Sequence, residues 1–177
     1  MKKLILFFIL IQSSLLVAQE KYYTKSGTIG FEASVPSFEE VKAKNTKVTA
    51  ILKTDTGTIA ALALVKGFRF KIALMEEHFN ENYAESDKFS KAKFSGKIKD
   101  FKKNTSGPIE ISGKLTFHGV TNDILVPAKI TYSNNNYQLV ANFEVKPEDY
   151  NINIPKIVRK KVAESILIAL NFNLLKK

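Results

Sequence analysis

The stretch Ile109-Glu110-Ile111-Ser112-Gly113-Lys114-Leu115-Thr116-Phe117 decides the fold. Its odd-numbered positions are apolar or glycine, and its even-numbered positions are polar or charged. Successive side chains of an extended chain point to opposite faces, so a period of two marks a strand with one dry face and one wet face. The same alternation continues in both directions. Upstream, Ala92, Phe94, Gly96 and Ile98 alternate with lysines and a serine. Phe68, Phe70, Ile72 and Leu74 form another such row, and Ile29, Phe31, Ala33 and Val35 a third. Downstream, the rows are Ile124 to Tyr132 in steps of two, then Tyr137 to Val145, then Ile166 to Leu174. Two further strands, 48–53 and 58–65, flank the turn Asp55-Thr56-Gly57. The second of these is apolar on both faces, which predicts a cover over its outer side.

Short connections rich in Asn and Gly, at 104–108, 118–122 and 133–136, join antiparallel neighbours. No internal repeat or linker divides the chain. The sequence therefore predicts one all-β domain over residues 19–177, with eight or nine antiparallel strands. Such a set can close into a barrel or stack as a sandwich. Glycines on the dry face, Gly96 and Gly113, suit a strongly bent sheet and favour a single antiparallel barrel of about eight strands.

Two segments break the alternation. Between residues 74 and 87, Met75, Phe79 and Tyr83 fall at i, i+4 and i+8 with acids between them, a helical stripe. Between 148 and 164 the chain carries Pro155 and the basic run Lys156-Ile157-Val158-Arg159-Lys160-Lys161. A short helix and a basic loop on one barrel could form its lid or rim.

The N-terminus reads as an address. Met1-Lys2-Lys3 precedes the apolar run Leu4 to Ile11, and a second apolar piece, Leu15-Leu16-Val17-Ala18, ends on a small residue. This is the pattern of a secretory signal peptide over residues 1–18, with cleavage after Ala18. The alternative, an uncleaved anchor, asks a short and interrupted run to span a bilayer. The chain has no cysteine, which excludes a lipidated N-terminal cysteine, disulfides and thiolate chemistry. Lys and Arg number 27 against 17 Asp and Glu. An exported chain rarely meets nucleic acid, so this excess points to solubility or to anionic surfaces and ligands. The expected location is the periplasm or the exterior. No transmembrane anchor is expected after cleavage, and the apolar last strand leaves a homodimer open.

The segment Gly113-Lys114-Leu115-Thr116-Phe117-His118-Gly119-Val120-Thr121 resembles the central hairpin of the YceI-like family. Met75-Glu76-Glu77-His78-Phe79-Asn80, and Phe89 followed by Ala92, Phe94 and Gly96, are similar to the family's helical turn and next strand. Here Ser90 stands where the family usually has Pro. Lys146-Pro147-Glu148-Asp149-Tyr150-Asn151-Ile152 before the last strand is similar too, so the resemblance spans roughly residues 22–176. It implies a lipocalin-like barrel, exported to the periplasm, whose elongated apolar lumen can hold a polyisoprenoid such as an isoprenoid quinone or a polyprenyl phosphate. It implies no catalytic residues.

Such a lumen needs apolar, preferably aromatic, side chains on the inward face. Phe31, Phe70, Phe94, Phe117, Phe143 and Phe172 occupy dry-face positions on separate strands, and with Ile168 they are the candidate ligand wall. The competing reading is a barrel packed solid by those side chains. Lys156, Arg159 and Lys160, with Lys161, could hold an anionic head group at the mouth, or could form a solvated loop. His78 and His118 are the only histidines, and a metal would need a third ligand such as Glu76, Glu77 or Asp123. A hairpin histidine more often serves the local backbone, so no metal, cofactor or catalytic residue is assigned. The expectation is a non-enzymatic, exported lipid-binding protein. The alternative is a non-catalytic interaction module of the cell envelope with a filled barrel.

Overall fold

The computed structural model describes residues 20–177. The expected signal peptide lies outside the described residues. Nine strands follow in order: β1 Lys21–Glu32, β2 Lys42–Lys53, β3 Thr58–Leu64, β4 Arg69–Phe70, β5 Lys91–Ile98, β6 Gly107–Phe117, β7 Val120–Ser133, β8 Asn136–Val145 and β9 Ile166–Lys176. Every pairing is antiparallel. Eight strands run β1-β2-β3-β5-β6-β7-β8-β9, and β1 pairs with both β2 and β9, so the sheet closes into a barrel. The two-residue β4 attaches only to the start of β2.

The hairpin at the centre of the sequence argument is a continuous register from Gly107↔Ile130 to Phe117↔Val120. Its turn has two residues, His118 and Gly119, both at positive φ (47° and 77°). The β7–β8 turn does the same with Asn134 and Asn135, at 49° and 60°. Paired positive φ values give the turn a twist that matches the strands, which is why Asn, Gly and a histidine stand there.

The dry-face glycines have a more specific reason than bending. Gly96 and Gly113 face each other across β5 and β6. A Cβ on Gly113 would lie 2.6 Å from the Ser95 carbonyl oxygen and 2.7 Å from the Phe94 ring. A Cβ on Gly96 would also meet that ring at 2.7 Å. The Phe94 ring lies across two positions kept free of side chains.

The two ends of the barrel differ. At one end Tyr22, Leu52, Ile98, Ile111, Ile130, Tyr137, Leu139 and Leu174 fill the interior completely. Tyr137 packs edge-on against Tyr22 at 4.7 Å and lies 4.8 Å from Tyr132, and the backbone N–H of Asn104 donates to the Tyr137 hydroxyl at 2.8 Å. This floor is ringed by ion pairs, Lys176–Glu20 and Lys103–Asp55, both 2.5 Å. The other end is crossed by three segments: residues 33–41, residues 65–90 and residues 146–165.

Three sequence expectations need correction. The row 68–74 is not a strand beyond Phe70. A helix, α1 Ala73–His78, starts there, and Leu74 points to solvent at 57 % exposure. The expected helix over 74–87 is shorter, with α1 passing into a wider π turn over Phe79–Tyr83. Among the described residues nothing covers the outer side of β3: Ala60 and Leu62 are half-buried beside neighbouring strands, and Leu64 is exposed. Both β1 and β2 are also longer than their apolar rows, because Lys- and Thr-rich segments at their ends still complete the hydrogen-bond ladder.

Replacing Gly113 with Ala forces the Phe94 ring and the β5 backbone apart. A loss of about 1–3 kcal/mol is expected in urea unfolding, as for overpacked cores. The floor gives a pH dependence. The Lys176 ammonium holds the Glu20 carboxyl below its ordinary range, and Lys103 does the same for Asp55. Their contribution is present above the unfolded carboxylate pKa, about 4, and is lost as pH falls through the lower folded values. Thermal midpoints should therefore fall with acidification, and Glu20→Gln with Asp55→Asn should flatten that limb.

Candidate functional site

Above the floor the barrel is not filled. A cavity of about 390 Å³ runs up to the open end, within the range of small-molecule sites. Strand alternation builds its wall. Ile29 and Phe31 come from β1, Ala61 and Ala63 from β3, Phe94 from β5, Leu115 and Phe117 from β6, Phe143 and Val145 from β8, and Ile166, Ile168 and Leu170 from β9. All seven residues expected on the wall, Phe31, Phe70, Phe94, Phe117, Phe143, Ile168 and Phe172, line this cavity. They are not equivalent. Phe172 is 2 % exposed and forms the bottom, its ring set against Gly27, where a Cβ would come within 2.7 Å. The others are only partly covered by protein.

The wall has members outside the strands. Phe79 stands on the inner side of the π turn and meets Phe31 at 5.2 Å, Phe70 at 5.3 Å and Phe68 at 6.1 Å between ring centroids. Phe31 in turn meets Phe68 and Phe70 at 5.4 and 5.6 Å. Aromatic pairs of this kind add about 0.5–1.5 kcal/mol each beyond area burial. Met75, His78 and Tyr83 line the cavity beside Phe79, so the helical stripe read from spacing is the roof of the lumen. From the basic loop, Val158 and Val162 line it as well. They flank the 3-10 turn Arg159–Lys161, and only their four-residue spacing hinted at them.

The roof is tied down by polar contacts. Glu76 pairs with Arg69 and accepts the Phe70 backbone N–H at 3.1 Å, which seats α1 on β4. Asn80 donates to the Glu76 carbonyl oxygen at 2.8 Å. His118 holds the far end. Its Nε2 lies 2.7 Å from a Glu85 carboxylate oxygen and its Nδ1 lies 2.9 Å from the Tyr150 carbonyl oxygen. Both partners accept, so the ring serves both at once only with a proton on each nitrogen. Phe89 lies edge-on against His118 at 4.5 Å, and a Cβ on Gly119 would strike that ring at 2.6 Å. One hairpin turn thus gathers the segment after the π turn and the 3-10 turn Pro147–Tyr150. Its place in a hairpin turn predicts a local backbone partner; its actual partners lie 32 and 33 residues away.

The charged candidates separate. Lys161 lines the cavity mouth together with Lys146, His78 and Glu39. Arg159 lines an adjoining polar groove with Glu148, Asn153 and Glu164. Lys156 and Lys160 are exposed on the same loop and line neither. His78 faces the lumen while His118 is engaged outside it, so the two rings share no pocket. Among the described residues no three His, Cys, Asp or Glu side chains form a metal cluster. Also among these residues, no helix is long and apolar enough to cross a membrane.

His118→Ala removes the contacts to Glu85 and Tyr150 together. A loss of about 2 kcal/mol is expected, because a charge-assisted hydrogen bond is worth about 1.5–3 kcal/mol. Amide exchange should accelerate in residues 73–89 before it does in the floor strands.

Comparison with known proteins agrees with this geometry. A polyisoprenoid binding domain from Saccharophagus degradans, implicated in plant cell wall breakdown, superposes with a TM-score of 0.72 at 10% identity, covering 90% of this chain and 99% of that one. BcnA of Burkholderia cenocepacia gives 0.72 at 15% identity, over 84% and 95% of the two chains. A Campylobacter jejuni YCEI protein gives 0.62 at 14% identity, over 81% and 89%. At these identities the likeness is one of fold. No curated protein sequence matches the chain. The model of the YceI-like domain matches residues 22–174, from the first strand to the last, and the chain belongs to that family.

Proposed function

We propose that this protein is an exported, non-enzymatic carrier that holds an isoprenoid-type lipid in the barrel lumen. The observation that carries the reading is the cavity of about 390 Å³, walled almost wholly by Phe, Ile, Leu, Val and Ala. A filled barrel would have buried these side chains against one another, as the floor does; instead most remain half-covered. Each buried methylene of a ligand contributes about 0.8 kcal/mol, so a long hydrocarbon gains affinity by area alone. The polyisoprenoid binding of the Saccharophagus domain supports the choice of ligand class.

The polar groups cluster at the mouth. Lys161 and Lys146 would meet a phosphate or carbonyl head group there, with Arg159 in the adjoining groove and Lys156 and Lys160 contributing field more than contact. No side chain lining the cavity is paired with a base and an orienting group in the way nucleophilic catalysis requires. The lysine-headed apolar N-terminus supports export, and the periplasm is the compartment in which such a carrier would work.

Native mass spectrometry of protein purified from a bacterial envelope tests the reading. A lipid-mass adduct that organic extraction removes and identifies as an isoprenoid is expected. Leu115→Trp, which fills the lumen from its wall, should abolish the adduct. Leu125→Trp, on the outer face at 62 % exposure, should keep it. Repeated purification without any lipid, together with a collapsed lumen, would overturn the proposal.

A further inference from the structure

The mouth carries a feature that holding a ligand does not need. Ile157 is 87 % exposed, the most exposed large apolar side chain among the described residues. It sits inside the run Lys156-Ile157-Val158-Arg159-Lys160-Lys161. Isolated exposed leucines and isoleucines are common on soluble proteins, but this one stands among four cations on a loop at the opening of an apolar cavity. Within residues 155–163 there is no acidic side chain. Among the described residues none of the four cations forms an ion pair.

A second apolar side chain lies on the loop that borders the same opening. Phe38 is 47 % exposed and also lines the cavity, in a turn where Ser37 takes φ 72°. The two loops are joined, because the Ala163 backbone N–H donates to the Ala33 carbonyl oxygen at 2.9 Å, and Ala33 donates to Val41 at 2.8 Å. The acids of the second loop are Glu39 and Glu40, and Glu40 lies 4.0 Å from Lys42. Phe38 thus borders the opening, and Ile157 with its unpaired cations stands on the loop whose Val158, Lys161 and Val162 line it.

We propose that this rim is a membrane-docking surface that seats the barrel mouth on an anionic bilayer. Cations held near an anionic surface and an apolar side chain inserted at the headgroup boundary reinforce each other in interfacial binding. The outer wall also carries exposed apolar side chains, Leu64 opposite Lys91 and Leu125 opposite Ser112, but neither lines the opening. Lys93 and Lys97 stand on that wall with Ser95 between them. Docking at the mouth brings the lumen directly onto the lipid phase, so a lipid could enter without its chain crossing water. Docking of this rim does not depend on what the lumen holds.

Co-sedimentation of the purified protein with vesicles tests this. Vesicles of phosphatidylcholine alone should bind weakly, and an equimolar mixture with phosphatidylglycerol should bind strongly and lose binding at high salt. One cation near such a surface is worth about a fivefold change in partitioning. Lys156→Gln with Lys160→Gln should therefore reduce binding roughly thirtyfold by that same factor. Ile157→Ser should reduce it about tenfold from lost apolar burial. All three side chains are exposed, so thermal unfolding should stay unchanged. The pair Lys93→Gln with Lys97→Gln, which removes the same charge from the wall, should leave most of the binding. Equal losses from the rim and wall pairs would overturn the proposal, as would binding indifferent to Ile157. Capture of an acidic protein through the rim with no vesicle binding would overturn it too. Sedimentation reads docking alone, so its failure would leave the lipid adduct of the lumen standing, and an empty lumen would leave docking standing.

Discussion

Everything in this molecule depends on β1 hydrogen-bonding on both sides. It pairs with β2 from Lys21↔Lys53 to Glu32↔Lys42 and with β9 from Tyr22↔Lys176 to Glu32↔Leu167. Without the second pairing the sheet would be open, with two edges and no lumen. Closure requires β1 to curve, and it does so where its register with β2 shifts, between Thr24 and Gly27 and again between Gly27 and Ile29. Gly27 also leaves room for Phe172. The bend that closes the wall and the ring that ends the cavity are one packing event.

From that seam the barrel divides into a solid half and a hollow half. The solid half is built from tyrosine and branched aliphatics and is sealed by the loop that brings Asn104 to Tyr137. It supplies the close-packed burial that a chain without disulfides depends on. The hollow half sacrifices some of that burial, and its rings stay partly uncovered. Contacts among Phe31, Phe68, Phe70 and Phe79 offset part of this loss by letting the rings cover one another.

Much of this was legible in the sequence because strand alternation is a local signal. Each of the seven wall residues sits on a dry face that can be read from its two neighbours on either side. What was not legible depends on contacts distant in sequence. The row Phe68, Phe70, Ile72, Leu74 reads as a strand, yet after Phe70 the backbone is claimed by Glu76 and turns helical. His118 reads as a turn residue with local duties, while its partners Glu85 and Tyr150 cannot be found from spacing. Nor does alternation reveal the difference between filled and hollow halves. Dry-face residues look alike at both ends, and only the arrangement of rings and glycines in space separates them.

In the proposed carrier, the hollow half sets the kind of selectivity open to the protein. An apolar wall rewards area and is nearly blind to chain identity, because one methylene more or less changes affinity by only about 0.8 kcal/mol. Discrimination must then come from shape and from the mouth. Shape is fixed by Phe94 lying over Gly96 and Gly113 and by Phe172 over Gly27, since any side chain added at these glycines would move a ring. Among the described residues, the charged side chains that line the cavity are Lys146, Lys161 and Glu39, at its mouth. Of the parts that position this mouth, α1 is seated on β4 by Glu76, while the segment after the π turn and the 3-10 turn at Pro147–Tyr150 are gathered by the His118 side chain. A roof secured by side chains can yield while the ladder beneath it stays intact, so in the proposed carrier the barrel would set how much chain is held and the hairpin clamp how readily it enters.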